Sequence, residues 1–559
     1  MIRPSAEPME ARGTTTAPSS AARWAEPLGL FALALAVRSF LAATYPHPGY
    51  PDAAYYVEVA RSVGAGRGFS VDFLWTFIEV GGRIPADPYL PVPSNPHWAP
   101  LASLVQVPFI WLLGPSIGAS LIPFVLIGAL AAPLAWAIAR DAGASRVVRL
   151  GAGFLGAVPA AATVFTAQPD NVALTMVLGG GALWLTARGL SGRPRSFAVA
   201  GLLVGLATLA RTDGLLLAVA PVAAFAWDRR RRPSRIPWTA AIGCVGLFLL
   251  AVAPWYIRQV AVFGSPTPSA AAGVLWLRSF ADLNSVTADR TLGAVLAQDL
   301  ASLVGSRALA LWQALAVFGG LVCGVVLVPF VIAGAWRRRR SPDFGPAFAF
   351  AGVLLAFSVV FFAIHVPNGM FLHASVALAP HAYVLAVEAV AAGGAALAGR
   401  RAEWNREHMA GVLVAACCLL VAGVALLATL QARTAWDARR QRQEAIARGI
   451  DAAGATMGDR IMSIDTAGYR YVSGRGGVVS PDDPLPVIEE VARAYDIRWV
   501  IVERDEAVRA LAPLLDGAER PAWIGAPVFT ILGPGGGALE AALYPVCLDS
   551  SDQRCGARP

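Results

Sequence analysis

Pro100-Leu101-Ala102-Ser103-Leu104-Val105-Gln106-Val107-Pro108-Phe109-Ile110-Trp111-Leu112-Leu113-Gly114 is the stretch on which the topology turns. It is apolar, but it is interrupted by Pro108 and falls short of the roughly 20 residues that cross a bilayer. Counted as a span, it reverses the sidedness of every later loop. Read as an outward interfacial or re-entrant helix, it leaves eleven apolar stretches, at 27–45, 117–139, 147–166, 171–188, 196–210, 213–227, 237–256, 309–335, 345–365, 371–395 and 409–430. The arginines then fall on alternate loops. Arg140, Arg146 and Arg149 share one, and Arg188, Arg193 and Arg195 the next. Arg229 to Arg232 with Arg235, Arg337 to Arg340, and Arg400, Arg401 and Arg406 make three more. Basic loops stay cytoplasmic. The expectation is a multi-pass cell-membrane protein with its N-terminus inside and its C-terminal tail outside. The arginine-poor connections, with Gln168-Pro169-Asp170-Asn171 and His365-Val366-Pro367-Asn368, then face outward.

Composition agrees with a polytopic α-helical protein. The hydrophobic fraction is 56% and the mean hydropathy +0.57, against about 45–50% apolar in soluble domains. The net charge of +8 sits in short juxtamembrane loops, so it does not signal nucleic acid. All 45 basic residues are arginines. Lacking lysine, the chain has neither a P-loop lysine nor a Schiff-base nucleophile.

The chain divides into a disordered cytoplasmic N-terminus (1–25), a membrane domain (26–430) and an extracytoplasmic α/β domain (431–559). The first apolar stretch reads as an uncleaved span rather than a signal peptide. Two large outward loops cover 46–116 and 257–308. The tail alternates strand-like runs (461–464, 499–502, 528–532, 539–543) with helix-like ones (486–495, 506–515). Cys547 and Cys555 lie in it, eight residues apart, and are expected to pair outside the cell. The other four cysteines lie in apolar stretches.

The first outward loop opens Pro48-Gly49-Tyr50-Pro51-Asp52-Ala53-Ala54-Tyr55-Tyr56. Asp52 reads either as the cap of a helix beginning near Ala53 or as a general base at the membrane surface. Tyr55 and Tyr56 suit an interfacial aromatic anchor. Gly64-Ala65-Gly66-Arg67-Gly68 is a helix-terminating turn rather than a phosphate cradle, because no strand precedes it. His97 is a candidate metal ligand or phosphate contact. Asp170, at an outer helix end, reads as a functional acid or as the cap of the next span. Arg211 and Asp213 sit at an outward hairpin turn, as an ion pair or as a substrate contact. Arg258, in Pro254-Trp255-Tyr256-Ile257-Arg258, suits bidentate grip of a lipid phosphate. Arg38, inside the first span, either snorkels outward or reaches the same anionic site.

Taken in order, these features resemble the GT-C membrane glycosyltransferases of the protein O-mannosyltransferase and aminoarabinose-transferase type. They are a first span with an arginine, Asp52 before Tyr-Tyr, a Gly-x-Gly turn, and a Pro-x-x-x-Pro-Leu lead-in to a short apolar helix. Pro-Asp at a later outer end, Arg-x-Asp-Gly and Pro-Trp-x-x-Arg complete the series. The likeness runs over roughly 27–395. It implies a GT-C-like fold, a polyprenyl-phosphate-linked sugar as donor, an inverting transfer on the extracytoplasmic face and Asp52 as the catalytic carboxylate. It also implies that Asp170 assists and that arginines such as Arg258 hold the lipid phosphate. Two departures stand out: Ala53 and Ala54 follow Asp52 where many members carry a second acid, and the lead-in reads Trp98-Ala99-Pro100-Leu101. The residues commit to no cofactor, and use of a divalent metal stays open, as does the acceptor (glycan, lipid or protein). The rival reading is a transporter or flippase of lipid-linked sugars, which would set polar groups at mid-membrane on broken helices.

Overall fold

The computed structural model describes residues 20–231, 233–267, 273–367, 369–401, 403–533 and 535–548. In hydrocarbon, backbone N–H and C=O groups must be satisfied internally, so the apolar stretches become helices. Among the described residues, seven helices are long and apolar enough to cross a membrane: Trp24–Thr44, Ile117–Asp141, Asn171–Leu190, Trp238–Phe263, Leu300–Val322, Met370–Ala398 and Arg406–Ala452. Arg146–Ala157 and Ala160–Ala167, bent by 50°, make an eighth if counted as one span. The stretches at 196–210, 213–227 and 345–365 also fold as helix, in shorter pieces. These are Pro194–Ala210, a 3-10 turn at Thr212–Ala218 running into Val219–Arg229, and Gly345–Val360. The stretch at 309–335 is not one helix. A π turn at Phe318–Val322 and left-handed Gly324 and Val325 separate Leu300–Val317 from Val328–Arg338. A Cβ on Gly324 would lie 3.1 Å from the Cβ of Ala160, itself left-handed, so the two helix breaks pack on each other.

Residues 100–114 fold as Leu101–Leu104 and Val107–Leu113, with Trp111, Leu112 and Leu113 exposed at 68%, 79% and 58%. The pair is too short to span and presents an apolar edge, as an interfacial helix does. The N-terminal region expected to be disordered lies outside the described residues up to 19, while Ser20–Thr44 is helical.

One end of the helical bundle gathers the arginines. Arg188 and Arg193 face Asp141, Arg235 donates to the Leu190 carbonyl, and Arg338 donates to Ala142 O and pairs with Glu388. Each cluster stacks a guanidinium on an aromatic ring: Arg140 on Trp136, Arg188 on Trp184, Arg231 on Trp227, Arg339 on Trp336 and Arg401 on Trp404. Asp170 caps the far end of Asn171–Leu190, about 30 Å away by helix rise.

At that far end stands a six-stranded sheet. Its strands are β2 (Phe73–Leu74), β4 (Arg460–Ser463), β5 (Gly477–Val479), β6 (Ile497–Glu503), β7 (Phe529–Leu532) and β8 (Leu539–Pro545), in the order β2-β5-β4-β6-β8-β7. The first four pair parallel and the last three antiparallel. A separate two-stranded ribbon pairs β1 (Ser70–Val71) with β3 (Val92–Pro93). The four strand-like runs of the tail are strands, and 486–495 corresponds to helix Leu485–Ala494. The helix expected at 506–515 is absent. Pro513 cannot supply the N–H such a helix needs, and only a 3-10 turn, Ala512–Asp516, forms. Sequence reasoning also missed β5 and, above all, β2, which comes from the first loop. Helix Arg406–Ala452 runs 47 residues, about 70 Å, from the membrane into the sheet, where Ile446 and Ile450 pack on Ile461, Trp499 and Leu543. The pairing of Cys547 with Cys555 lies outside the described residues.

Candidate active site

Helix Pro51–Gly64 begins two residues earlier than its apolar pattern suggests. Pro51 presets the first helical turn, Tyr50 is the N-cap, and Asp52 lies within the turn with no capping hydrogen bond. Capping therefore does not explain Asp52. Its side chain keeps 22% of its surface open, and its Oδ2 stands 4.0 Å from Nε2 of His373. Asp170 does cap its helix, accepting from Asn171 N at 2.5 Å. It is fully buried, accepts from the Tyr50 hydroxyl at 2.7 Å, and lies 3.6 Å from Nδ1 of His373. Asn171 offers Oδ1 to that Nδ1 at 2.8 Å and donates its amide to the Tyr56 hydroxyl at 3.3 Å.

Arg211 brings the positive charge. An extended backbone at Arg211 ends helix Pro194–Ala210 and puts the residue on the Arg-Thr-Asp-Gly hairpin, where it forks onto Asp213 at 2.9–3.1 Å. Gly214 makes this turn feasible, since a Cβ there would stand 2.3 Å from the Ala207 carbonyl oxygen. The Arg211 charge acts on both Asp52 and Asp170.

Burial pushes the Asp52 carboxyl up to about 7, helped by the like charge of Asp170 and opposed by Arg211. Asp465 adds to the push. This acid comes from the tail, where Arg439 and Gln443 hold it at 3.0 and 2.7 Å. Burial also raises Asp170, with Tyr50 and the Asn171 N–H pulling the other way.

The remaining expected residues have other surroundings. His97 packs on Trp98, its Nδ1 is buried without a partner, and burial drops the ring to about 4, so it is neutral. Tyr55 and Tyr56 are not interfacial anchors. Both are fully buried, in an aromatic core with Phe73, Trp75 and Trp98, and Tyr55 accepts from Asn95 N. Arg258 stacks among Phe69, Trp255 and Phe263 and donates to Ser94 O and Gln259 Oε1 at 2.9 and 2.8 Å. It ties the end of its helix to the first loop. Arg38 neither snorkels nor meets the acids. It is fully buried and donates to Gly156 O and Ala157 O, carbonyls that the helix break at Val158-Pro159 leaves free.

His373, Tyr50 and Asp465 were missed. His373 is one of the chain's six histidines and sits in an apolar stretch, where an ionisable side chain is itself a functional signal. Tyr50 and Asp465 carry no such mark. Among the described residues no three His, Cys, Asp or Glu side chains stand close enough to hold a metal ion.

A cavity of about 580 Å³ opens between the middle loop, the lipid-facing helix Leu300–Val317 and residues 360–365. Leu275, Trp276 and Phe361 wall it, Arg278 and Arg307 supply charge, and His365 lies at one side.

The fold is that of the GT-C membrane glycosyltransferases. Residues 95–257, under a third of the chain, match the family model described as dolichyl-phosphate-mannose-protein mannosyltransferase. ArnT from Cupriavidus metallidurans in the apo state is similar over 94% of this chain and 98% of its own, at 15% identity and a TM-score of 0.56. The same protein bound to undecaprenyl phosphate aligns over 96% and 100%, at 15% identity and 0.53. The archaeal oligosaccharyltransferase AglB from Archaeoglobus fulgidus, in complex with an inhibitory peptide and a dolichol-phosphate, aligns over 93% of this chain and 75% of its own, at 14% and 0.52. No curated protein sequence matches the chain.

Proposed function

We propose that this protein transfers a sugar from a polyprenyl-phosphate donor to an acceptor hydroxyl on the extracytoplasmic face, with Asp52 as base. The observation that carries this reading is Asp52 itself. It is an uncapped carboxylate with an open edge, raised to about 7, beside a second acid and a guanidinium. A base poised near working pH combines a useful ionised fraction with a good proton affinity. The acceptor oxygen attacks the anomeric carbon as Asp52 takes its proton. The bond to the lipid phosphate breaks, and its electron pair leaves with the phosphate. One displacement inverts the anomeric carbon.

Arg211 is the cation whose charge reaches both acids, and it stabilises the leaving phosphate. Asp170 assists by setting the affinity of Asp52 for its proton. Arg258, hydrogen-bonded within the first loop, holds the outer rim of the donor site. The amphipathic cavity at 274–307 and 360–365 suits the donor lipid, with its apolar walls for isoprenoid and Arg278 and Arg307 for anionic oxygen. The solved relatives bound to undecaprenyl phosphate and to dolichol-phosphate support this class of lipid. The gathering of acids and arginine at one end of the bundle, rather than at mid-membrane, disfavours transport.

The test is turnover of a synthetic polyprenyl-phosphate mannose in proteoliposomes, alongside mass spectrometry of envelope glycans with and without the gene. Transfer lost in Asp52→Asn, with donor binding kept, supports the reading. Transfer retained by that variant overturns it.

A further inference from the structure

We infer that His373 takes the proton from Asp52 after Asp52 has taken it from the acceptor, an inference that rests on the glycosyl-transfer reading above. The geometry fixes which ring nitrogen is free to do so. The Asn171 amide donates to the Tyr56 hydroxyl, which turns its Oδ1 toward Nδ1 of His373 at 2.8 Å. An amide oxygen only accepts, so Nδ1 carries the hydrogen and Nε2 keeps its lone pair. That lone pair lies on the side of Asp52, 4.0 Å from Oδ2. Such contacts commonly tighten when substrate fills the site.

The step balances. The acceptor O–H proton goes to Asp52 as the new C–O bond forms, and the bond to the lipid phosphate breaks with its electron pair on the phosphate. The proton passes from Asp52 to Nε2, which restores the Asp52 carboxylate and leaves an imidazolium. Asp170, 3.6 Å from Nδ1, faces that cation. When the products leave, Nε2 returns the proton through Asp52 and its open edge to water.

Charged and titratable groups surround the ring from several elements. Asp52, Tyr50 and Tyr56 come from the first loop, and Asp170 precedes the Asn171–Leu190 helix. The Arg211 guanidinium comes from the hairpin, and Asp465 of the tail acts on Asp52. The ring is buried and the Arg211 guanidinium repels an imidazolium, so the ring holds the proton only in transit. His373 acts through Asp52 and is a positioning and proton-accepting residue.

The chain's six histidines make the test direct. Nitrogen-15 NMR of histidine-labelled protein in proteoliposomes reads the tautomer on the wild-type chain, with His373→Asn or His373→Gln identifying the signal. The expected result is hydrogen on Nδ1 and a bare Nε2. Hydrogen on Nε2 with a bare Nδ1 overturns the inference. The infrared band of the protonated Asp52 carboxyl, assigned with Asp52→Asn, should titrate differently in His373→Asn. That variant keeps a donor near Nδ1 and loses Nε2, so an unchanged titration also overturns the inference. With polyprenyl-phosphate mannose, His373→Asn should lower kcat by about 10²-fold, the lower end for a lost proton-transfer group, with KM unchanged. If Asp52→Asn loses turnover while His373→Asn keeps it, this inference fails and the reading of Asp52 stands. If Asp52→Asn keeps turnover, both fail.

Discussion

The Tyr50 hydroxyl donates to the Asp170 carboxylate at 2.7 Å, although 120 residues separate the two. Tyr50 in turn packs against Trp436 of the long helix at a ring separation of 5.6 Å, and a Cβ on neighbouring Gly49 would stand 2.5 Å from the same indole. Three distant segments thus fix one buried carboxylate.

Tyr50→Phe removes a hydrogen bond to a buried acid. The orphaned oxygen costs about 1.5–3 kcal/mol if Asp170 stays ionised, so Asp170 takes up a proton more readily. Its like charge on Asp52 then fades, and the affinity of Asp52 for its proton falls. The acid limb of the transfer profile should move to lower pH. A profile identical to wild type would show that the two acids are not coupled.

Asp52 must be ionised to act as a base, and burial holds it at about 7. Transfer should therefore fall about tenfold per unit below pH 7 and level off above it. Stability runs the other way. The folded carboxyl binds its proton more tightly than the roughly 3.9 of an unfolded aspartate. Its stabilising contribution is fully present below about pH 4 and is lost as pH rises through about 7. Asp52→Asn should lower kcat by about 10²–10⁴-fold and melt higher than wild type at pH 8. Melting curves across pH, read beside turnover, check both halves.

Arg211→Lys keeps the charge and loses the fork onto Asp213. A point charge cannot grip two oxygens in one plane, so kcat should fall by about 10²-fold, comparable to losing one preorganised donor. Turnover of polyprenyl-phosphate mannose within threefold of wild type would remove Arg211 from the phosphate site.

Gly214→Ala puts a Cβ against the backbone oxygen of Ala207, which has little room to yield. The Arg211 turn must shift, at a cost of about 1–3 kcal/mol typical of overpacking. A lower melting temperature with reduced turnover is expected. Wild-type values in both would mean that the hairpin tolerates another path.

Much of the helical part was legible because hydrocarbon enforces both apolar length and arginine sidedness. Asp52, Asp170 and Arg211 were legible because charge at a span end needs a reason. Arg38 misled, since an intramembrane arginine reads the same whether it meets a ligand or the carbonyls freed at a helix break. Tyr55 misled because an aromatic pair suits an interface and a buried core equally. His373 was overlooked inside an apolar run that also holds His381, since nothing local sets one ring apart from the other. Asp465 and Phe73–Leu74 could not be found by local pattern. Their meaning depends on a contact across some four hundred residues, which no short window contains.

That contact has a consequence for biogenesis. The ribosome delivers Phe73 and Leu74 early, yet their sheet neighbour, Gly477–Val479, emerges only after the last membrane helix. Until then the first loop has no strand to join, and Asp52 lacks the acid that approaches it from the tail. A nascent or truncated chain would hold the first-loop residues without the tail segment that completes their surroundings. On the proposed reading, transfer is deferred until synthesis is nearly done, because its first-loop base is completed only by the tail.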